Sequence, residues 1–298
     1  MHILVTGASG LIGSALVSAL TSTGYEVTRL VRRRAQSGEK AASWDPLAGT
    51  IDANAFEGID AVVHLAGENI AERWTAAKKV NIRDSRIKGT QVLCEALARL
   101  VSPPKVLVSA SAIGYYGDRG EEPLNEESAP GRGFLAEVCR AWEAATEPAR
   151  QAGLRIVLSR FGVVLSPVGG ALAKILPPFR LGLGGMLGSG RQYMSWIAMD
   201  DAIGAIQHAI VTDSLQGPIN AVAPHAVTNQ EFTKTLGKVL ERPTIVPLPA
   251  FATRLMFGEM ADELLLASAR VQPAKLLASG YRFRYPELEG ALRHLLAR

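Results

Sequence analysis

Residues 1–20, MHILVTGASGLIGSALVSAL, restrict the possible fold more than any other stretch. A short apolar run closes at Val5, Gly7, Gly10 and Gly13 follow at three-residue spacing, and Leu11, Ile12, Ala15, Leu16, Ala19 and Leu20 then recur on one helical stripe. This order reads as a buried strand, a tight turn and a helix packed on the strand. Each glycine has its own expected task. Gly7 turns the chain, Gly10 lets a pyrophosphate approach the backbone, and Gly13 lets the helix pack close to the sheet. Free amides and the positive dipole end at a helix start favour phosphate. Thr6, Gly7, Gly10, Leu11, Ile12 and Gly13 are therefore the expected dinucleotide contacts in this stretch.

The rest of the chain alternates strand and helix signals, which predicts an α/β fold with a doubly wound parallel sheet of the Rossmann type. EVTRLV (26–31) reads as the second strand and runs into Arg32, Arg33 and Arg34. An NAD-selective site usually presents an acid at this strand end, whereas a guanidinium suits the 2′-phosphate of NADP. NADP is the expected cofactor, with Arg32 as first contact and Arg33 as second. A short strand ends at Trp44 and Asp45, IDANAFEG reads as a helical crossover, and AVVHLAG (61–67) as a buried strand. Leu65, Ala66 and Gly67 end that strand where a cofactor passes, and His64 reads as a packed, hydrogen-bonded histidine.

Residues 75–100 give a helical pattern broken near Gly89, in which Asn81 and Arg83 interrupt the apolar face within reach of the nucleotide or its neighbouring loop. VLVSASAIGYYG then carries Ser109 to the cofactor and Ser111, Tyr115 and Tyr116 to the strand end. A helix over 134–152 and a strand over 154–162 follow. Thr228 is a helix N-cap, and Thr244 to Val246 form a last strand. The expected division is a dinucleotide-binding domain over 1–162, a substrate lobe over 163–249 with some elements returning to the main domain, and a helical C-terminal domain over 250–298.

The chain has 298 residues, 48% apolar and 20% charged, a globular composition. No apolar run reaches membrane-span length, and the first strand begins at once, with no signal peptide ahead of it. Cys94 and Cys139 both fall in helical patterns without the neighbours of a metal site, and read as buried thiols in a reducing compartment. A net charge of +4 without basic–aromatic interleaving speaks against nucleic-acid binding. The expectation is a cytoplasmic protein that acts on a small molecule, with no metal, membrane or nucleic-acid partner.

TGASGLIG, VVHLAG, NIRDSRIKGTQVLCEA, SASAIGYYG and RFGVVL together resemble the extended short-chain dehydrogenase/reductases, the NAD-dependent epimerase/dehydratase group, over residues 1 to about 240. GRGFLAEVCRAWE, the double tyrosine, FGEMADELLL and YRFRYPELEGAL resemble an atypical subgroup with a small C-terminal domain of unassigned function. The resemblance implies chemistry by a Ser or Thr beside a Tyr-x-x-x-Lys pair. The tyrosine exchanges a proton with substrate, the lysine holds the ribose and lowers the tyrosine pKa, and the serine orients the substrate oxygen. Ser111 matches the serine, with Ser109 as substitute. Placing Leu135 on the tyrosine puts Cys139 on the lysine and Glu143 on the following Glu, while starting from Phe134 puts Val138 on the lysine. Neither register supplies a proton donor or a cation.

Tyr116 and Tyr115 are the nearest replacement acids, or else an aromatic wall. Glu126 and Glu127 are further acids, or else a solvated turn. Arg191, Gln192 and Trp196 resemble the family's substrate loop, with Ser195 and Asp200 beside them, although a glycine turn followed by an Asp N-cap gives the same pattern. Met186, Met194, Met199 and Trp196 suggest an apolar wall, and Lys174 and Arg180 leave a phosphate subsite open. The family's dimer helices correspond to 75–100 and 134–152, so the chain is a monomer or a homodimer. Two readings follow: an NADP-binding oxidoreductase- or epimerase-like protein acting on an unknown small molecule, or a catalytically inactive NADP-binding regulatory or scaffold protein.

Overall fold

Ile3, Leu4 and Val5 are fully buried, as a strand enclosed on both faces requires. In the computed structural model, which describes residues 1–36 and 38–297, β1 (His2–Thr6) lies at the centre of an eight-stranded sheet. The first half of the chain continues with α1 (Leu11–Ser22), β2 (Glu26–Val31), β3 (Ala41–Asp45), β4 (Thr50–Ile51), β5 (Ala61–His64), α2 (Ala76–Ala98), β6 (Val106–Ala112) and β7 (Pro123–Leu124). Next come α3 (Phe134–Ala144), α4 (Glu147–Gln151), β8 (Arg155–Phe161), β9 (Val163–Leu165), α5 (Gly170–Arg180), β10 (Tyr193–Met194), β11 (Trp196–Ala198) and α6 (Met199–Val211). The last part holds β12 (Gly217–Ala221), β13 (Val227–Thr228), α7 (Asn229–Leu240), α8 (Ala250–Phe257), β14 (Arg270–Val271), α9 (Ala274–Ala278) and α10 (Leu288–Leu296).

The strand order is β12-β8-β6-β5-β1-β2-β3-β4, parallel except for the β3–β4 hairpin at one edge. Reversal of strand order at β1 is the switch point of a doubly wound Rossmann sheet, and ligands of such sheets bind beyond the strands' carboxyl ends there. One apolar layer joins the sheet to α1 and α6 through Leu16, Leu20, Ile206 and Ile210, and another joins it to α2 and α4 through Leu93, Leu97 and Ala149. Beyond β12 a smaller C-terminal helical lobe, α8–α10, follows. Buried Asp201 on α6 anchors it by accepting from Arg284 N (2.7 Å), Tyr285 N (2.9 Å) and the Tyr281 hydroxyl.

The structure corrects several boundaries. α2 runs unbroken through Gly89, whose Cβ position lies at ordinary contact distance, 3.7 Å, from Trp44 and Pro46 of the edge hairpin. The helix expected over 134–152 is two helices, because Pro148 has no N–H to offer the carbonyl of Ala144. The strand expected over 61–67 stops at His64, because the amides of Leu65 and Ala66 turn onto Thr6 Oγ1 (both 3.2 Å). Thr244–Val246 is no strand: prolines 243 and 247 flank it, and Val246 N reaches only Gly184 O. Thr228 does cap α7, with Glu231 completing a capping box.

Candidate functional site

At the start of α1 the three glycines divide their work by geometry. Gly7 sits at φ +66°, and a Cβ there would lie 2.6 Å from Leu65 C, inside the neighbouring strand's exit. A Cβ on Gly13 would stand 2.1 Å from Gly7 O, so the close approach is of helix to turn, not of helix to sheet. At Gly10 a Cβ would meet a single atom within 4 Å, the backbone Gly7 O, in a tight contact of 3.2 Å. Gly10 itself is exposed, and its φ of −75° is ordinary. Gly10 N is bonded to Gly7 O and Ser14 N to Gly10 O, whereas the amides of Leu11 and Ile12, in the first turn, have no acceptor four residues back. The result is a cradle that a side chain would fill, faced by unpaired N–H groups. A pyrophosphate fits it.

Thr6 and Ser109 lie behind this cradle. Both are fully buried. Thr6 Oγ1 bonds His64 Nδ1 (2.7 Å), His64 Nε2 bonds Thr90 Oγ1 (3.0 Å), and Trp142 Nε1 donates to the same Thr90 hydroxyl (2.9 Å). His64 is thus the packed histidine its strand suggested, and burial lowers its pKa to about 4.

The arginines after β2 separate into two kinds. Glu39, a residue sequence spacing did not bring to this strand end, accepts from Arg33 Nη1 (2.8 Å) and Arg29 Nη2 (2.9 Å). Arg33 is thereby committed within the protein, while exposed Arg32 makes no ion pair among the described residues. Asn81 and Arg83 are both exposed on α2, and Arg83 pairs with Asp84. Arg86, one turn on, turns inward instead. Its guanidinium donates to Ile82 O (3.0 Å) and Glu68 O (3.1 Å), and lies 3.3 Å from the Cβ position of Gly67. Burial lowers its pKa, and it makes no ion pair among the described residues. Reading α2 as broken at Gly89 hid it. In a continuous helix, Arg86 falls on the same face as Ile82 and Gly89.

Ser111, at the carboxyl end of β6, is buried and donates to Glu143 Oε1 (2.6 Å). Arg160 on β8 grips both oxygens of that carboxylate through Nε and Nη2 (2.8 Å each), and its Nη1 donates to the Tyr116 hydroxyl (2.9 Å). Burial alone lowers the Arg160 pKa, but the bonds and charge of Glu143 outweigh it and the net shift is upward. Tyr116 is fully buried and donates to Asn220 Oδ1 (2.7 Å), and burial raises its pKa. A tyrosine so held is a structural link and is removed from proton exchange. Tyr115 stays half-buried, its ring 3.5 Å from Arg160 Cζ. Glu126 is no solvated turn acid: it is buried and accepts from Asn220 N and Lys275 N, while Glu127 is exposed.

The residues expected for substrate do not converge. Trp196 is fully buried in the packing beneath α5 and α7, with Nε1 bonded to His225 O. Gln192 is buried and donates to Leu187 O and Leu265 O, tying the lobe together. Arg191 is exposed. Lys174 donates to Ala71 O, and Asp200 meets His294 at 3.3 Å.

Residues 3–221 match the profile of the NAD dependent epimerase/dehydratase family, and residues 248–295 match a domain of unknown function, DUF1731. The chain belongs to the NAD dependent epimerase/dehydratase family. An epimerase family protein of Mycobacterium bovis is 46% identical over 297 residues, 99% of this chain and 98% of that one. The crystal structure of the human epimerase family protein SDR39U1 (isoform 2) with NADPH matches with a TM-score of 0.91 at 36% identity, over 99% of both chains. A nucleoside-diphosphate sugar epimerase from Corynebacterium glutamicum gives 0.81 at 41% identity, over 99% of this chain and 58% of that one.

Within this epimerase/dehydratase chain the positions resembling the Tyr–Lys pair are sealed. Leu135 and Cys139 are buried against the turn Ile113–Tyr116, with Leu135 Cβ 3.2 Å and Cys139 Sγ 3.8 Å from the Cβ position of Gly114. Burial pushes the Cys139 thiol up to about 12, leaving it protonated and inert. Cys94 is likewise free, buried and pushed up to about 12. No helix among the described residues is long and apolar enough to cross a membrane.

Proposed function

We propose that this chain binds NADP(H) across the α1 turn and, as an oxidoreductase- or epimerase-like protein, acts on a small molecule without a Tyr-x-x-x-Lys pair. The observation that carries the reading is the open cradle at Gly10, faced by the unpaired amides of Leu11 and Ile12. NADPH in the human relative, 36% identical, supports the choice of cofactor. Gly7 and Gly13 shape the cradle, Leu65, Ala66 and Gly67 border it, Arg32 meets the 2′-phosphate, and Arg86 supplies the inner cation that Cys139 cannot. When bound, the cofactor supplies hydride chemistry. Ser111, Glu143 and Arg160 hold the floor of the site rigid, and half-buried Tyr115, its ring against Arg160, offers a hydroxyl that is not locked in the core.

Burial of Leu135, Cys139 and Tyr116 favours a second reading, a cofactor-binding protein that performs no turnover. The outward faces of α2 and α3 carry exposed Arg83, Lys88, Gln91, Glu137 and Arg140, which supports a monomer over the homodimer. Two buried thiols fit a reducing compartment such as the cytoplasm. The deciding experiment incubates the NADPH-loaded protein with a small-molecule extract and follows both NADPH fluorescence and the metabolite profile. Consumption of NADPH with one metabolite changed, lost in Tyr115→Phe, supports the enzyme. Saturable NADPH binding with no metabolite changed supports the second reading.

A further inference from the structure

Arg86 is a partly buried cation whose charge its neighbours do not offset. Nη1 and Nη2 donate to the carbonyls of Ile82 (3.0 Å) and Glu68 (3.1 Å), which fix the guanidinium but bring no opposite charge. The carboxylates on either side are committed elsewhere: Glu68 takes Lys78 at 2.6 Å, and Glu143 takes Arg160 at 2.8 Å. Cys139 feels the Arg86 charge, yet burial and Glu143 outweigh it and keep the thiol protonated. His64, with a pKa lowered to about 4, is neutral at neutral pH. Trp142 adds only a ring face, 5.1 Å from Arg86 Cζ. Charges withdrawn from water are ordinarily paired, so an unpaired one leaves a locally positive field.

This cation has a definite place on the sheet. Its Cζ lies 3.3 Å and its Nη2 3.5 Å from the Cβ position of Gly67, beyond the carboxyl end of β5. β5 and β6 lie on one side of β1, and β2, with Arg32 beyond it, lies on the other. A dinucleotide lies across such a sheet at the switch point, with its pyrophosphate at the first helix. With the adenosine end beside Arg32, the nicotinamide end falls on the side of β5 and β6, where Arg86 is. Oxidation state changes the charge at that end alone, because the nicotinamide ring is cationic in NADP⁺ and neutral in NADPH. A like charge in a partly desolvated place disfavours the charged form.

We propose that Arg86 is a specificity-determining residue that selects the oxidation state of the cofactor: its uncompensated charge repels the cationic ring of NADP⁺ and retains NADPH. The inference rests on the proposed NADP(H) reading for the identity of the cofactor and its direction across the sheet. A tenfold preference for the reduced form raises the two-electron potential of the bound couple by about 30 mV relative to free cofactor.

Calorimetric titration of NADPH, NADP⁺ and adenosine 2′,5′-bisphosphate, which lacks the nicotinamide end, into the full chain tests it. The wild type is expected to bind NADPH at least ~10-fold tighter than NADP⁺. Arg86→Met, which keeps an apolar stem and removes the charge, is expected to bring that ratio within ~3-fold, while affinity for adenosine 2′,5′-bisphosphate stays within ~2-fold. Arg86→Lys, which keeps the charge without the fork, is expected to hold the ratio above ~3-fold. Should Arg86→Met lose its thermal transition, Arg86→Gln is held to the same criterion. A wild type that binds both oxidation states equally, or a folded uncharged variant that keeps the full ratio, overturns the proposal. Equal weakening of all three ligands in Arg86→Met also overturns it, because the charge then acts at the phosphate end. Absence of binding of either cofactor to the wild type overturns the cofactor reading on which it rests.

Discussion

α1 and α3 both begin after a glycine at the carboxyl edge of one sheet, yet one start is open and the other is filled. At α1 a Cβ on Gly10 would meet only Gly7 O, at 3.2 Å, and the amides of Leu11 and Ile12 have no acceptor four residues back. At α3 the missing side chain of Gly133 leaves room that Glu263 occupies. The same backbone device therefore has two outcomes: at α1 a start whose first amides have no helical acceptor, the proposed phosphate cradle, and at α3 a socket for a carboxylate of the chain itself. The difference matches the sequence. The cofactor half keeps the family's glycines, while the half that elsewhere carries Tyr and Lys has Leu135 and Cys139 packed beneath a C-terminal lobe. Within one fold, one helix start keeps first-turn amides without a helical acceptor, and its neighbour is packed around an apolar contact.

The largest expected effect breaks the open end. Gly13→Ala places a Cβ 2.1 Å from Gly7 O, and neither partner is a flexible side chain, so the turn must move. NADPH affinity should fall by ~100-fold or more, about 2.7 kcal/mol, in fluorescence titration. An unchanged affinity would mean that the turn does not hold the cofactor. Next is the buried pair behind the filled end. Arg160→Met leaves the Glu143 carboxylate without its partner and should cost about 3–5 kcal/mol in urea unfolding. Adding Glu143→Gln should restore much of the loss, because the stranded charge is then gone. No restoration would show that packing, not charge, dominates there.

His64 joins the two ends through Thr6 on one side and Thr90 with Trp142 on the other. Its folded pKa, about 4, lies below the ordinary 6.5, so between these values the unfolded chain binds more protons than the native one. Stability from this group is full above pH 6.5 and lost as pH falls toward 4, by about 3 kcal/mol in total. Denaturant midpoints measured from pH 7.5 to 4.5 should fall accordingly, and His64→Gln should flatten that slope. A slope unchanged in the variant would remove His64 from the account.

Much of the fold was legible because the central strands are short apolar runs bounded by turn residues, and the Gly7-Gly10-Gly13 spacing fixes strand, turn and helix together. Thr228 was legible because a cap and its Glu231 partner are local. The misread elements each depended on a distant contact. Gly89 looks like a helix break until Trp44 lies over it, and the strand at His64 ends because Thr6, 59 residues away in sequence from Leu65, offers a hydroxyl to the amides beyond. The candidate site divides in the same way. The tight turn at Gly7 follows from spacing, but the approach of Gly13 to Gly7 O rather than to the sheet, the commitment of Arg33 to Glu39, the burial of Tyr116 and Trp196, the inward turn of Arg86 and the arrival of Glu263 at α3 come from tertiary packing. No periodicity in a single chain announces them.

The proposed cofactor reading depends most on exposed Arg32, which makes no ion pair among the described residues, meeting the 2′-phosphate, and one titration tests it. NADPH and NADH are titrated into the wild type and into Arg32→Ala. The wild type should prefer NADPH by at least ~10-fold, and the variant should lose about 1.5–3 kcal/mol toward NADPH while its NADH affinity stays within about twofold. Equal affinities in the wild type, or a variant that binds NADPH as tightly as before, would contradict it.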